Sequence, residues 1–123
     1  MRIVIDADGC PVVDIALKLG KAKGIECHIF CDTCHVFEKD GAETHVVPKG
    51  ADSADFAIAN FVKCRDIVIT QDYGLASMCL AKGAHVLHQD GWLYTADNID
   101  ALLLARYESR KYRASGGRAK GPR

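Results

Sequence analysis

A chain of 123 residues, 49% of them hydrophobic, has the size and composition of one compact domain with a core of its own. No apolar run approaches the length of a membrane span, about 18 residues, and Met1-Arg2 leads directly into a predicted strand rather than a signal peptide, so we expect a cytoplasmic protein without a membrane segment. The net charge of zero conceals an acidic body, with nine Lys or Arg against fifteen Asp or Glu in residues 1–105, and a basic end, with seven against one in residues 106–123.

The first ten residues after Met1 predict a strand, an acidic corner and a helix. Residues 3–5 form an unbroken β-branched run, which is typical of a central strand buried on both faces of a parallel sheet. Asp6 and Asp8 follow at the end of this strand, and Pro11 suits the first turn of a helix. Two carboxylates this close repel each other and lose hydration, which a divalent cation commonly compensates. The alternative is that Asp8 caps the helix or forms a turn with Gly9, and that Asp6 ends the strand in solvent.

Three further elements follow in the first half of the chain. Helical spacing of apolar residues from Val12 to Lys23, closed by a glycine, predicts a crossover helix. The apolar segment 26–31 predicts a second strand and residues 44–47 a third, with a loop or hairpin over residues 33–43 between them.

The next predicted helix, over residues 51–62, carries Asp52 and Asp55 in its first turn. Acids at this position favour the positive end of the helix dipole, and this local role is one explanation for both. Because the two acids are three residues apart, they also face the same way, beyond the start of the helix. They form a second acidic pair at an element boundary.

The arrangement of the first ten residues recurs in the second half of the chain. Residues 66–71 predict another strand buried on both faces, and Asp72 follows it before a helix over residues 75–82. Residues 85–87 predict a fifth strand, and Thr95 is expected to cap a last helix. The apolar face of that helix would carry Ile99, Leu102 and Leu103. Alternating strands and helices predict a three-layer α/β/α fold around a mainly parallel, doubly wound sheet.

The loops that follow the strands of such a sheet emerge at one edge, where ligands bind. We therefore expect carboxylates from three separate segments of the chain to converge there, namely Asp6, Asp8, Asp52, Asp55 and Asp72. A site built from oxygen ligands alone favours Mg²⁺ or Mn²⁺ over zinc.

The six cysteines mostly lie in predicted apolar strands and helices, and in a cytoplasmic chain we expect them to be reduced. Cys31, Cys34 and His35 match the C-x-x-C-H pattern of haem attachment, but that chemistry requires export. A zinc site that uses Cys31, Cys34 and a histidine from elsewhere is an alternative, although no second C-x-x-C or H-x-x-x-H motif pairs with them.

Taken together, the motifs extend over nearly the whole chain: Asp6-Ala7-Asp8 with Cys10-Pro11-Val12, Gly50-x-Asp52-x-Ala54-Asp55-x-x-Ile58, and Asp66-Ile67-Val68-Ile69-Thr70-x-Asp72-x-x-Leu75-Ala76, followed by Lys82-Gly83, Gly91, Tyr94-Thr95 and Asn98-Ile99. This pattern resembles the PIN-domain-like metal-dependent nucleases and, more closely, the YaiI/YqxD family of bacterial proteins that is related to them. The resemblance implies a single PIN-like (Rossmann-like) α/β domain, which we assign to residues 1–112, followed by a basic, Gly-rich tail over residues 113–123.

The activity implied by the resemblance is hydrolysis of phosphodiester bonds, of RNA rather than DNA, by metal-bound water. One or two Mg²⁺ or Mn²⁺ ions would be held by Asp6, Asp55 and Asp72, with Asp8 and Asp52 as further ligands directly or through water. The residues expected to be catalytic are Asp6, Asp8, Asp55 and Asp72. Thr70, two residues before Asp72, would support the ligands without binding the metal itself.

Two other functions fit parts of this pattern. A haloacid-dehalogenase-like phosphatase also places Asp-x-Asp after its first strand, with Asp6 as nucleophile and Asp8 as acid, but Cys10-Pro11 replaces the usual Thr or Val. That family also needs a later lysine and a pair of acids, and residues 70–73 supply only one acid. A non-catalytic nucleic-acid-binding or protein-binding module would keep the fold and the basic tail without needing a metal.

The basic end of the chain contains three arginines at helical spacing, Arg106, Arg110 and Arg113. They form one stripe if the last helix continues past Tyr107, and such a stripe would bind the phosphates of a nucleic acid. The alternative is a solvated tail that keeps the protein soluble.

Overall fold

The computed structural model describes residues 1–8, 10–32, 41–48 and 53–114, with the side chains of residues 54–105 in the last range. Its elements in chain order are β1 (Arg2–Asp6), α1 (Val13–Lys23), β2 (Glu26–Asp32), β3 (Ala42–Val47), α2 (Ser53–Phe61), β4 (Ile67–Ile69), α3 (Tyr73–Ala81), β5 (His85–Leu87) and α4 (Ala96–Ala114).

The five strands form one parallel sheet in the order β3-β2-β1-β4-β5. β1 lies at its centre because residues 3–5 are apolar on both faces, with Val4 and Ile5 fully buried. The chain leaves β1 toward β2 on one side and later continues from β4 to β5 on the other. The strand order therefore changes direction between β1 and β4, which is the place where open α/β sheets bind ligands.

Helices cover both faces of the sheet, so the expected three-layer α/β/α fold is confirmed. α1 packs Val13 and Leu17 against one face, and α2, α3 and α4 pack against the other through residues such as Ile58, Leu75 and Ile99. Within the described residues, none of the helices combines the length and the hydropathy that crossing a membrane requires.

The boundaries of several elements differ from the sequence-based expectation. β4 spans only Ile67–Ile69, whereas the sequence predicted a strand over residues 66–71. β3 begins at Ala42 rather than at residue 44, because Ala42 and Glu43 pair with Cys27 and His28 of β2. α3 begins two residues earlier than expected, at Tyr73. α2 is described from Ser53 to Phe61, while residues 51 and 52 of its predicted start, and residues 33–40 of the predicted loop or hairpin, lie outside the described ranges.

The expected start of the last helix is confirmed by a reciprocal pair of hydrogen bonds. The Asn98 amide donates to Thr95 Oγ1 at 3.1 Å, and the Thr95 amide donates to Asn98 Oδ1 at 2.8 Å. The backbone of α4 continues past Tyr107 to Ala114.

Candidate functional site

Four of the predicted aspartates line one cleft at the carboxyl edge of the sheet, where the strand order changes direction. Asp6 ends β1, Asp8 follows two residues later, Asp72 follows β4, and Asp55 lies in the first turn of α2. The cleft has a volume of about 500 Å³, and its lining residues are Asp6, Asp8, Ala54, Asp55, Gln71, Asp72 and Tyr73. We call it the acidic cleft. Three distant segments of the chain thus supply its carboxylates.

Thr70 connects two of these aspartates. Its hydroxyl donates a 2.9 Å hydrogen bond to Asp6 Oδ2 and accepts one of 3.0 Å from the backbone amide of Asp72. Thr70 is buried at the end of β4, and its own carbonyl accepts a 3.3 Å hydrogen bond from the hydroxyl of buried Tyr94. Thr70 therefore holds the Asp6 carboxylate close to the backbone of Asp72.

Asp8 and Asp72 also accept structural hydrogen bonds from the backbone, but of these two only Asp72 caps a helix. Asp72 Oδ1 accepts a 3.0 Å hydrogen bond from the Leu75 amide and so caps α3. Asp8 Oδ2 accepts a 3.2 Å hydrogen bond from the amide of Asp32, at the end of β2, rather than from the helix that follows Asp8. Each carboxylate has a second oxygen, so these roles are compatible with binding a cation.

The environment of Asp6 disfavours its charged form. Burial raises its pKa from 3.8 to about 6, the hydrogen bond from Thr70 lowers it in part, and the negative charges of Asp8 and Asp72 raise it further. Ionising Asp6 therefore costs free energy in the absence of a positive partner. A titratable group that is perturbed in this way within a cleft marks a candidate functional site.

The residue types that line the cleft are those that a hard divalent cation prefers, although no three of the described carboxylates have oxygen atoms within 4.8 Å of one another. The cleft offers carboxylate oxygens and the amide of Gln71, and none of the described residues that line it carries a thiol or an imidazole. Mg²⁺ and Mn²⁺ prefer such oxygen ligands, and Mg²⁺ keeps several waters or phosphate oxygens around one or two carboxylates. Asp52, the fifth predicted ligand, lies outside the described residues.

Two other sets of predicted residues are only partly described. The side chains of Arg106, Arg110 and Arg113 lie outside the described residues, although the helical backbone that carries them is described. Cys31 is buried in the core beneath α1, and Cys34 lies outside the described residues, so the predicted zinc alternative stays a prediction.

A group of histidines and glutamates on β2 and β3 was not predicted from the sequence. Within the described part of the chain, His28, Glu43 and His45 are the only three potential ligands whose donor atoms all lie within 4.8 Å of one another. The signal is an E-x-H pattern that occurs in both strands, at Glu26 and His28 and again at Glu43 and His45. Residues two apart on a strand share a face, so each pattern places its glutamate beside its histidine.

Comparison with known proteins places the chain in a family. A family model described as "Uncharacterized BCR, YaiI/YqxD family" matches residues 4–123. A UPF0178 protein of Exiguobacterium sibiricum is 47% identical over 123 residues, which is 100% of this chain and 84% of the relative. One of Alkaliphilus oremlandii is 49% identical over 113 residues (92% and 73%), and one of Clostridium acetobutylicum is 42% identical over 125 residues (100% and 84%). No solved structure matches the chain. The chain therefore belongs to the YaiI/YqxD family of bacterial proteins.

Proposed function

We propose that the acidic cleft hydrolyses phosphodiester bonds of RNA with Mg²⁺ or Mn²⁺ as cofactor. The observation that carries this proposal is the meeting of Asp6, Asp8, Asp55 and Asp72 in one cleft at the switch point of the sheet. Capping alone would not require acids from three segments to share a cleft, whereas a divalent cation does require several carboxylates at one place.

Each polar residue of the cleft has a role in this proposal. Asp6, Asp55 and Asp72 would hold the cation, with Asp8 and Asp52 as additional ligands directly or through water. The cation would supply Lewis-acid activation of water and neutralise charge on the phosphate. Thr70 would keep Asp6 oriented, and Gln71 and Tyr73 carry amide and phenol groups that can hydrogen-bond a phosphate or a ribose.

The cytoplasmic location expected from the sequence belongs to this proposal, since cellular RNA is found there. The cysteines in the described residues, Cys10, Cys27, Cys31, Cys64 and Cys79, are all free. Free thiols agree with a reducing compartment.

The experiment is a calorimetric titration with Mn²⁺ combined with a cleavage assay on labelled single-stranded RNA. Asp6→Asn and Asp72→Asn should each lower the affinity for Mn²⁺ at least tenfold and abolish cleavage, because each removes a ligand charge. Asp100→Asn, which changes an exposed acid on α4, is the matched control and should behave as the wild type. Equal Mn²⁺ affinity in all four proteins would refute the metal site.

The same assay separates the alternative functions. A non-catalytic module would bind RNA without cleaving it at any Mn²⁺ concentration. A haloacid-dehalogenase-like phosphatase would hydrolyse p-nitrophenyl phosphate, a monoester, in preference to bis(p-nitrophenyl) phosphate, a diester. The cleft does not favour the phosphatase, because no lysine is among the described residues that line it.

A further inference from the structure

A second cluster of potential metal ligands lies on the face of β2 and β3 that packs against α2, apart from the acidic cleft. His28 Nδ1 lies 2.9 Å from His45 Nε2 and 3.5 Å from Glu43 Oε2. Glu26, which flanks this cluster, pairs with Arg2 at the start of β1, whereas the acidic cleft lies beyond Asp6 at its end. The two sites are separate across the sheet. The cluster lies on β2 and β3, with His45 level with Asp6 in the register, whereas the acidic cleft lies at the ends of β1 and β4.

The register of the two strands creates this cluster. His28 pairs with Glu43, and Phe30 pairs with His45. Side chains two apart on a strand face the same way, so the two histidines and Glu43 meet on one face of neighbouring strands. Two imidazole nitrogens and a carboxylate oxygen are a ligand set that zinc and related transition metals bind, in contrast to the oxygen ligands of the acidic cleft.

A carboxylate fixes the orientation of the central histidine. Glu26 Oε2 lies 2.5 Å from His28 Nε2. A proton on Nε2, donated to Glu26, leaves the Nδ1 lone pair directed at His45 and Glu43. Metal-binding histidines in proteins commonly donate their other ring N–H to a carboxylate in this way.

The histidine cluster is surrounded by aromatic rings and by the side chain of Arg2, whose charge is neutralised by Asp66. The His45 ring stacks on Phe30 at 4.4 Å and 8°, and Phe61 packs against His28 and His45 at 4.7 and 5.1 Å. The nearby guanidinium of Arg2 is paired with Asp66 at 2.7 Å, which offsets a positive charge that would otherwise oppose a cation. Glu43 is exposed, so the cluster is open to solvent on one side.

We propose that His28, His45 and Glu43 form a binding site for Zn²⁺ or a similar transition-metal ion, with Glu26 as the carboxylate that orients His28. The metal joins β2 to β3, the edge strand of the sheet. Tetrahedral zinc with bonds of about 2.0–2.1 Å needs its ligand atoms roughly 3.3 Å apart, so the contact between the histidines opens by a few tenths of an ångström.

The test is a titration of the full chain with Co²⁺, followed by visible absorption, and with Zn²⁺, followed by calorimetry. The wild type should bind one ion at this site, and saturating Zn²⁺ should raise the Tm by at least about 5 °C. Glu43→Gln and His45→Gln should lower the affinity for Zn²⁺ at least tenfold, and Glu26→Gln roughly 10- to 100-fold. The Zn²⁺ affinity of Glu43→Gln is the decisive measurement, because the exposed Glu43 side chain can be replaced without disturbing the core.

Three control variants separate this site from others. His85→Gln changes an exposed histidine on β5, at the opposite edge of the sheet, and should leave Zn²⁺ binding unchanged. Asp6→Asn should also leave it unchanged, so that the failure of the acidic cleft and of this site can be told apart. Cys34→Ser should retain the visible spectrum of bound Co²⁺. Unchanged Zn²⁺ affinity in Glu43→Gln and His45→Gln, absence of Zn²⁺ binding by the wild type, or loss of binding in Cys34→Ser would each overturn the proposal.

Discussion

The Thr70 hydroxyl donates to the Asp6 carboxylate across 2.9 Å and thereby joins the end of β4 to the end of β1 at the acidic cleft. The same oxygen accepts a hydrogen bond from the Asp72 amide. One buried hydroxyl thus positions residues from the two strands between which the strand order changes direction. Removal of the Thr70 hydroxyl tests whether metal binding by the cleft depends on the orientation of Asp6 as well as on its charge.

We predict that Thr70→Val lowers the affinity of the cleft for Mn²⁺ roughly 10- to 100-fold, because Asp6 loses the hydrogen bond that orients it. The Asp72 amide also loses its partner, which should lower the free energy of unfolding by about 1–3 kcal/mol. Thr70→Ser retains the hydroxyl and is the matched control. Calorimetry and urea unfolding measure the two effects, and equal Mn²⁺ affinity in the Val and Ser variants would contradict the prediction.

The raised pKa of Asp6 predicts that Asp6→Asn stabilises the metal-free protein in a pH-dependent way. The carboxyl is protonated in both folded and unfolded chains below pH 3.8, so it contributes nothing to stability there. Between pH 3.8 and about 6 the unfolded chain ionises while folded Asp6 stays protonated, so the wild type loses stability over this range and the loss is complete above about pH 6. The variant should therefore exceed the wild type in free energy of unfolding by up to about 3 kcal/mol at pH 7.5, at 1.36 kcal/mol for each pKa unit.

Thermal unfolding of both proteins from pH 4 to pH 8, in a chelator, measures this difference. The Tm values should coincide near pH 4 and separate as the pH rises. Saturating Mn²⁺ at pH 7.5 should then raise the Tm of the wild type more than that of the variant, because only the wild type retains the ligand charge. A constant difference across the pH range would show that ionisation of Asp6 is not its cause.

An ion pair between half-buried Arg2 and buried Asp66 predicts a separate dependence of stability on pH. Asp66 is buried and accepts hydrogen bonds from the backbone and guanidinium of Arg2 and from the Lys63 amide at 2.7–3.2 Å. Burial alone would raise the pKa of Asp66, but these hydrogen bonds and the charge of Arg2 outweigh it and hold the pKa below 3.8. Asp66 therefore stabilises the fold above the pKa of the unfolded chain, and this contribution disappears as the pH falls through the folded value.

Asp66→Asn should accordingly lower the free energy of unfolding at pH 7 by about 3 kcal/mol or more, because it leaves the charge of Arg2 without its partner. The loss should shrink in acid as the wild-type carboxyl becomes protonated. Asp97→Asn, an exposed substitution on α4, is the control and should change stability little. Urea unfolding at pH 7 and at pH 3 gives the comparison, and a loss of equal size at both pH values would contradict the role of the ionised pair.

The sequence predicted the strands and the acidic edge because each depends on local pattern. The uninterrupted apolar residues 3–5 identify a central strand, and an acid after β1 and after β4 identifies the edge at which ligands bind. The early start of α3 at Tyr73 was missed because Gly74 disfavours a helix, whereas in the structure Asp72 caps the helix directly before Tyr73 and also lines the cleft.

The cluster on β2 and β3 was missed for a different reason. His28 and His45 are seventeen residues apart, and their contact depends on the register of two strands, which no single segment encodes. The repeated E-x-H pattern shows that the glutamate and the histidine share one face of their strand. It does not show which residues of β2 pair with which residues of β3. A pairing of β2 with β3 displaced by two residues would have separated His28 from Glu43.

The three arginines of α4, Arg106, Arg110 and Arg113, are expected to bind the phosphates of RNA. Their backbone is helical through Ala114, and spacings of four and three residues place them along one side of a helix. The acidic body repels a polyanion at long range, so we expect binding of RNA to depend on these arginines and to weaken steeply with salt as counterions are released.

Replacing all three arginines with Ala should weaken the binding of single-stranded RNA and flatten its log-log salt dependence by about two units, at about 0.7 for each lost phosphate contact. The matched control replaces three exposed basic residues of α1, Lys18, Lys21 and Lys23, and removes the same charge from another surface. Filter binding over a salt series in Mn²⁺ compares the three proteins. If the arginine variant follows the wild type, or if both variants change equally, the basic segment acts only through net charge, as a solubilising tail does. A selective change in the arginine variant would instead identify α4 as the surface that contacts the phosphates.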